Sequence, residues 1–432
     1  MLLFFVTLVA LTSAEDPLRS VLRSPKASIK LYTEFKQKNH LEFDGMENRI
    51  RYLLFRDSAS HIADYNEDKE DTGHYGVNFF SAMSEEEKKR YHGLNITKLD
   101  NEDEMFEDLE EGPRLKVSGG VSLPYQVLWT NSDSVTKVKN QKSCGSCWTF
   151  ATVGSIETRY KVESGILRRF SEQEFLDCAY DSYNNYNGCD GGTLVRPIIW
   201  SSRNGGRLAA GKDREYEKKD RACRASSTPD AMISAKIKGI RHVGRTEEDH
   251  LQALQDGAIA AVIYASDRFN QYDGNIMKDT TCKDTEEVNH GVTIVGYSTH
   301  YILIKNSWSD DWGEKGFARL ARNHHNCKLY TASIIPKFRS TGVSDSGSDP
   351  ATDYRPSDNY KPTCSDQNPT FCERISKLGC CTQCRIFTID AMRRMLVDVF
   401  CRKTCGICGN ADCPGGTTEC NDGVCRHEHM CT

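Results

Sequence analysis

The residues best suited to covalent chemistry lie in Gln141-Lys142-Ser143-Cys144-Gly145-Ser146-Cys147-Trp148, which continues as Thr149-Phe150-Ala151. Two thiols spaced Cys-x-x-Cys could serve redox exchange or hold a metal, and the spacing alone does not choose between them. A third use is nucleophilic attack on a carbonyl, which needs a base for the thiol proton and a polar group to orient that base. His290 and Asn306 are the matching residue types downstream. An imidazole beside a thiol gives a thiolate–imidazolium pair, a nucleophile at mildly acidic pH with a proton for a leaving amine. An asparagine oxygen can accept the other ring N–H. The oxyanion formed on a peptide carbonyl needs donors, and the Cys147 backbone N–H and the Gln141 side-chain amide are the candidates. Losing one such donor costs about 2.7–4 kcal/mol in the barrier.

These groups must be positioned by elements that the sequence also signals. Phe150, Val153, Ile156 and Tyr160 recur every three or four residues and predict a helix as far as Gly165, a natural stop. Cys147 then sits at a helix N-terminus, where the dipole favours an anion and lowers a thiol pKa. A second short helix starts at Ser171, with Ser171 and Glu174 as a capping box and Phe170 and Phe175 as a hydrophobic staple. Gly188-Cys189-Asp190-Gly191-Gly192 marks a tight turn whose glycines let an extended peptide come close. Further on the period changes to two. Gly291–Tyr297 and Tyr301–Ile304 are β-rich runs separated by a short turn and read as a hairpin, with His290 heading the first strand and Asn306 ending the second.

The 432 residues suggest two or three domains. A mean hydropathy of −0.59 implies linker or surface-rich extensions. The net charge of −5 argues against a nucleic-acid partner, which would need a concentrated basic face. Met1–Leu11 is apolar and is followed by Thr12-Ser13-Ala14, the pattern of a secretory signal peptide cleaved after Ala14. No later stretch approaches a membrane span. The 19 cysteines divide into seven between Cys144 and Cys327 and twelve between Cys364 and Cys431. In an oxidising compartment the odd set should leave one thiol free.

Residues 15–120 form a charged leader. Leu31, Phe35, Ile50, Leu54 and Ile62 recur at helical spacing over Ser28–Asn66 with no proline, as in a helical hairpin. Ser84 with Glu87 makes a capping box for a further helix. Asn95-Ile96-Thr97 is a glycosylation sequon at Asn95. Residues 100–111 are mostly acidic, which suits a solvated linker or a segment that loosens on acidification.

Several motifs together resemble a papain-like cysteine protease of the cathepsin L type, over residues 28–336. Glu47, Arg51, Phe55, Ser58, Ile62 and Asn66 resemble the E-R-F-N-I-N pattern of its propeptides, with Ser58 for Asn. Gly76, Asn78, Phe80 and Ala82 resemble G-x-N-x-F-x-D, with Ala82 for Asp. Leu123-Pro124 through Trp129 looks like the start of the mature enzyme, which places processing between Val117 and Ser122. Asn306-Ser307-Trp308 matches the family's Asn-Ser-Trp, in which the Trp shields the Asn–His bond from water.

The resemblance implies an α+β, two-lobed fold: a helical lobe carrying the cysteine and a β-barrel-like lobe carrying the histidine. It implies Cys147 as nucleophile, His290 as base and acid, Asn306 as orienting residue and Gln141 as oxyanion donor. It also implies disulfides Cys144–Cys189, Cys178–Cys223 and Cys282–Cys327, with Cys147 left free. Gly191 and Gly192 would line the substrate cleft, and Leu194, Val262, Val288 and Ala332 an apolar S2 pocket that prefers bulky hydrophobic P2 residues. An endopeptidase needing neither cofactor nor metal is implied. It would be a monomer of the secretory pathway, extracellular or lysosomal, acting on protein or peptide substrates, with the leader as its inhibitor. A thioredoxin-like use of Cys144 and Cys147 then fails, because Cys144 has a structural partner and the βαβ context is missing.

Residues 337–363 read as a flexible linker rich in Ser, Asp, Gly and Pro. Beyond them lies a disulfide-dense module of the kind used where a core is too small. Phe400–Cys408 resembles the end of a sea-anemone toxin-like (ShKT) domain spanning 364–408, which implies Cys364–Cys408 and Cys372–Cys401. Cys405 would pair with Cys380, Cys381 or Cys384. Residues 409–432 add four further cysteines. The competing reading of the whole chain is a secreted toxin-like or binding protein whose tail modulates a channel or tethers the molecule to a surface.

Overall fold

The computed structural model describes residues 15–94, 123–179, 188–223, 237–283 and 285–338, and the backbone of 112–115, 232–234, 418–419 and 425–426. The signal peptide, Asn95, the acidic run, the processing region and the tail disulfides lie outside the described residues, as does the linker beyond 338; its expected first residues, 337 and 338, belong instead to the last strand of the main sheet.

The leader begins with α1 (Pro17–Arg23) and α2 (Pro25–Lys38). Each has proline in its first turn, where no hydrogen bond is lost, behind a capping side chain: Asp16 accepts from the Leu18 amide and Ser24 from that of Ala27. The expected helical hairpin turns at 39–44, between α2 and α3 (Gly45–Glu67). Asn39 returns its Nδ2 to the Phe35 carbonyl at 2.8 Å, and His40 turns left-handed at φ 52°. Ile50, expected on the packed face, is exposed beside Met46 and Leu53. The packed face of α3 is instead Phe55, Ala59, Ile62 and Ala63, and Phe55 stacks 4.9 Å from Phe35 and 5.3 Å from Tyr32. After β1 (His74–Tyr75) and a tight turn at Phe79–Ala82, the predicted Ser84–Glu87 box opens α4 (Glu85–Lys89). The last leader element is β2 (Gly112–Leu115).

The segment that follows packs helices against a sheet. After β3 (Val127–Leu128) come α5 (Cys147–Ser164), ended by Gly165 at φ 75°, then α6 (Glu172–Cys178) and α7 (Arg196–Arg203). In α6 Ser171 caps the Glu174 amide as expected. Glu174 does not return the bond: it accepts from the Ala209 amide at 2.6 Å while the Ser171 amide donates to the Ala209 carbonyl. Strand pairing to β4 (Arg207–Ala209) thus replaces half of the box. β4 pairs with β5 (Met232–Ser234).

The main sheet contains β6 (Ile237–Val243), β7 (Ile259–Ile263), β9 (Ile276–Met277), β10 (His290–Tyr297), β11 (Tyr301–Lys305), β12 (Phe317–Ala321) and β13 (Ser333–Phe338). Its order is β2-β6-β13-β7-β10-β11-β12-β9, with β3 also on β10. A short helix, α8 (Glu247–Ala253), follows β6, and α9 (Asp267–Asn270) and β8 (Tyr272–Gly274) lie between β7 and β9.

One apolar core sits among the helices, with Val153, Ile156, Phe175 and Ile198. The largest lies under the sheet, where Val292, Ile294, Ile302 and Ile304 bury together with Ile62, Tyr75 and Phe80 of the leader. The leader therefore shares the core of the segment it covers. β1 adds to β8 with Tyr75 opposite Tyr272. A second compact unit, 353–432, is described at one antiparallel pair, β14 (Thr418–Glu419) with β15 (Cys425–Arg426).

Candidate active site

Cys147 is the first residue of α5 and is fully buried. The structure joins Cys144 to Cys189, Cys178 to Cys223 and Cys282 to Cys327, which leaves Cys147 as the free thiol among the described residues. Its sulfur accepts from the amide of Gly93 in the leader at 3.3 Å, and the Gly291 amide also faces it. The helix N-terminus predicts a lowered thiol pKa, but the thiol here is pushed up to about 11. Burial under the leader removes the water that would solvate a thiolate, and the surrounding amides only partly offset this.

His290 heads β10 and Asn306 follows β11, and their strands pair Thr293 with Lys305. Beyond that register the His290 Nε2 meets Asn306 Oδ1 at 2.8 Å. That oxygen also accepts from the Ser307 amide at 2.8 Å, so it can only accept and Nε2 must carry the ring proton. Nδ1 is then the basic nitrogen of the neutral ring, and it is buried with no hydrogen-bond partner. The Trp308 ring lies 4.4 Å from the imidazole at 31° and packs against it. Burial, helped by the neighbouring His92, pushes the ring down to about 3 against the Asn306 bond. Asn306 Nδ2 and Trp308 Nε1 are likewise buried and unpartnered, so three unmet polar groups meet at this site.

Gln141 is buried, with its Oε1 held by the Ser307 hydroxyl at 2.6 Å. Its Nε2 donates at 3.0 Å both to the Cys144 carbonyl and to the Tyr91 carbonyl of the leader. A peptide carbonyl thus already occupies the donor expected to meet an oxyanion. Gly191 and Gly192 lie alongside the leader: the Gly192 amide donates to the Gly93 carbonyl at 2.9 Å. A β-carbon on Gly191 would stand 2.9 Å from that carbonyl oxygen. Leu194, Val262 and Val288 are buried in the helical-side core, with Ala332 partly buried at its margin, and Leu94 of the leader packs on that cluster.

The profile of the papain family cysteine proteases matches residues 123–337. Papain of Carica papaya is 33% identical over 323 residues, which span 73% of this chain and 88% of papain. Cathepsin L of Sarcophaga peregrina is 31% identical over 353 residues, 78% of this chain and 98% of that protein. The chain belongs to the papain family of cysteine proteases. The likeness takes in the leader, because digestive procathepsin L 3 from Tenebrio molitor larval midgut superposes with TM-score 0.62 at 31% identity, covering 72% of this chain and 99% of that one. The protease therefore has the papain-like α+β fold and is a cysteine-type endopeptidase of zymogen form.

Three contributors to the protease site were not legible as such. His92 lies in the leader with its ring 6.0 Å from His290 and 5.9 Å from Trp308. Its Nε2 meets Asn270 Oδ1 at 3.2 Å, and burial holds it down at about 4. Gly93 carried no signal beyond its nearness to the sequon. Ser307 sat in a matched motif, but its bond to Gln141 joins residues far apart in sequence and could not be read from either.

Proposed function

We propose that Cys147, His290, Asn306 and Gln141 cleave peptide bonds once the leader has left. The observation that carries this reading is the His290–Asn306 bond, which fixes the ring proton on Nε2 and leaves Nδ1 as the nitrogen able to take a thiol proton. Nδ1 takes the thiol proton and the sulfur attacks the peptide carbonyl. The C=O electron pair moves to oxygen, where the Gln141 Nε2–H released by Tyr91 and the Cys147 amide receive it. The C–N bond then breaks and the imidazolium proton goes to the leaving amine, forming a thioester on Cys147. Water, losing a proton to Nδ1, attacks the thioester and releases the acid and the thiol.

The leader acts as inhibitor, since Tyr91, Gly93 and Leu94 occupy the groups that a substrate would use. Leu94 on the cluster of Leu194, Val262, Val288 and Ala332 supports bulky hydrophobic P2 residues; profiling that ranked arginine first would overturn the preference. Passage through the secretory pathway follows from the apolar N-terminus and the disulfides. The Phe400–Cys408 run supports an ShKT-like tail that tethers the protease. Deleting it should change surface retention and leave peptide turnover intact.

The decisive experiment is acid activation of the purified protein with thiol titration and N-terminal sequencing. One titratable thiol per chain is expected, and Cys147→Ser should abolish turnover. An active preparation without a titratable thiol would defeat the assignment.

A further inference from the structure

The loop from Gln141 to Cys147 has to hold two things in register: the Gln141 side chain and the first amides of α5. Cys144–Cys189 braces its middle. Its ends are joined by a residue far outside it. The Tyr216 hydroxyl donates to the Gln141 carbonyl at 2.8 Å and lies 2.7 Å from the Ser146 hydroxyl. A phenol has one proton, so with that proton on the Gln141 carbonyl the serine must be the donor of the second bond. The chain runs from the Ser146 hydroxyl to the Tyr216 hydroxyl to the Gln141 carbonyl. Burial raises the phenol pKa, and Tyr216 stays neutral throughout the working range.

Ser146 supplies the second, independent observation. It occupies the N-cap of α5, where a serine ordinarily accepts from one of the first helical amides and stabilises the helix by about 1 kcal/mol. Here its side chain makes no such bond. It turns to Tyr216 instead, with only a longer 3.4 Å approach to the Cys144 carbonyl. The amides at the start of α5 are left uncapped by a side chain at the place where negative charge develops on Cys147 and on the oxyanion. The Tyr216 ring is itself fixed edge-on against Phe150 of the same helix, 4.9 Å between centroids.

We infer that Tyr216, acting with Ser146, is a positioning residue for oxyanion stabilisation: it ties the Gln141 end of the loop to the nucleophile end and diverts the serine from capping. Neither residue touches substrate. The inference rests on the reading of Gln141 as an oxyanion donor.

The test uses acid-activated enzyme carrying Tyr216→Phe, which keeps the ring on Phe150, and separately Ser146→Ala. Each should lower kcat about tenfold with KM little changed, less than the 10²–10³ expected for deleting a donor outright. A peptide aldehyde, which adds to Cys147 and develops an oxyanion, should bind more weakly by the same factor. Iodoacetamide, which forms the S–C bond with loss of iodide and no oxyanion, should alkylate Cys147 at an unchanged rate with an unchanged pH profile. The double variant should be no worse than either single one. Unchanged kcat, additive losses, or equal losses in aldehyde binding and alkylation would overturn the inference. Gln141→Ala in parallel separates the two levels. If it leaves kcat intact, the donor reading fails. If it lowers kcat while Tyr216→Phe does not, the positioning role fails alone.

Discussion

The Gly93 amide of the leader points at the Cys147 sulfur from 3.3 Å, so the inhibitory segment meets the nucleophile through an N–H. The fit depends on glycine: a β-carbon at Gly93 would stand 1.8 Å from the Gly145 carbonyl oxygen, backbone against backbone. Gly93→Ala should therefore weaken leader docking by about 1–3 kcal/mol, the usual cost of overpacking. Self-activation of the zymogen at fixed pH should accelerate correspondingly, by about 5- to 150-fold; an unchanged rate would show that this contact does not limit opening.

The reactivity of Cys147 should differ between the two states of the enzyme. With the leader in place the thiol is held at about 11 and His290 at about 3, so both are neutral from pH 4 to 9. Iodoacetamide should label the intact zymogen slowly, and labelling should rise only toward strongly alkaline pH. Leader removal returns water and the helix-terminus field to the sulfur, and labelling should then proceed in mild acid. Alkylation rates against pH for zymogen and activated enzyme measure this directly. Coinciding profiles would show that the leader does not suppress the thiolate.

Much of this was legible in the sequence because it rests on local rules. The helix behind Cys147, the hairpin carrying His290 and Asn306, and the Ser84 box each follow from spacing and capping within a few residues. The hairpin in the leader was expected, but the place of its turn, 39–44, is marked only by Asn39 and His40 and not by the apolar period. Ile50 was misplaced for a related reason: α3 has two apolar stripes, and the pattern cannot say which one meets Phe35. The raised Cys147 pKa was out of reach, since it depends on a leader segment more than 50 positions away that removes solvent from a site the helix dipole alone would make anionic.

Acid should open the leader partly through His92 and His290. Both are buried neutral, with pKa values near 4 and 3 against about 6.5 for a free imidazole. A depressed histidine favours the closed form fully above pH 6.5, and that preference is lost as pH falls toward the depressed value. Each pH unit below 6.5 then favours the open form by at most about 1.4 kcal/mol per ring. His92 also feels Asp267, which favours its charged form, and Lys88, which opposes it. Hydrogen exchange at 91–94 in Cys147→Ser zymogen, corrected for intrinsic exchange, should steepen below pH 6.5. His92→Gln should roughly halve that slope; an unaltered slope would remove His92 from the opening step.

A further hold on the leader is a buried ion cluster at α9. Arg268 donates to Asp71 at 2.9 Å and to Asp68 at 2.7 Å, and stacks 4.9 Å over the Tyr65 ring. Asp71 is also bonded by the Tyr75 hydroxyl and by the Lys278 amide at 2.8 Å, so its carboxylate is fully committed across the leader–enzyme boundary. Arg268 holds Asp68 below the ordinary carboxylate range against the effect of burial. Ala82 supplies no side-chain charge, and at that end of the leader Arg51 pairs with Glu87 and Glu47 and donates to the Ala82 carbonyl at 3.0 Å. Arg268→Gln leaves Asp71 charged in a buried place, and breaking such a pair costs about 3–5 kcal/mol. Denaturant unfolding of the Cys147→Ser zymogen should register that loss. The activated enzyme, in which Arg268 has no leader partner and faces water, should lose little. Equal destabilisation of both forms would mean that Arg268 serves the enzyme's own core and not the hold on the leader.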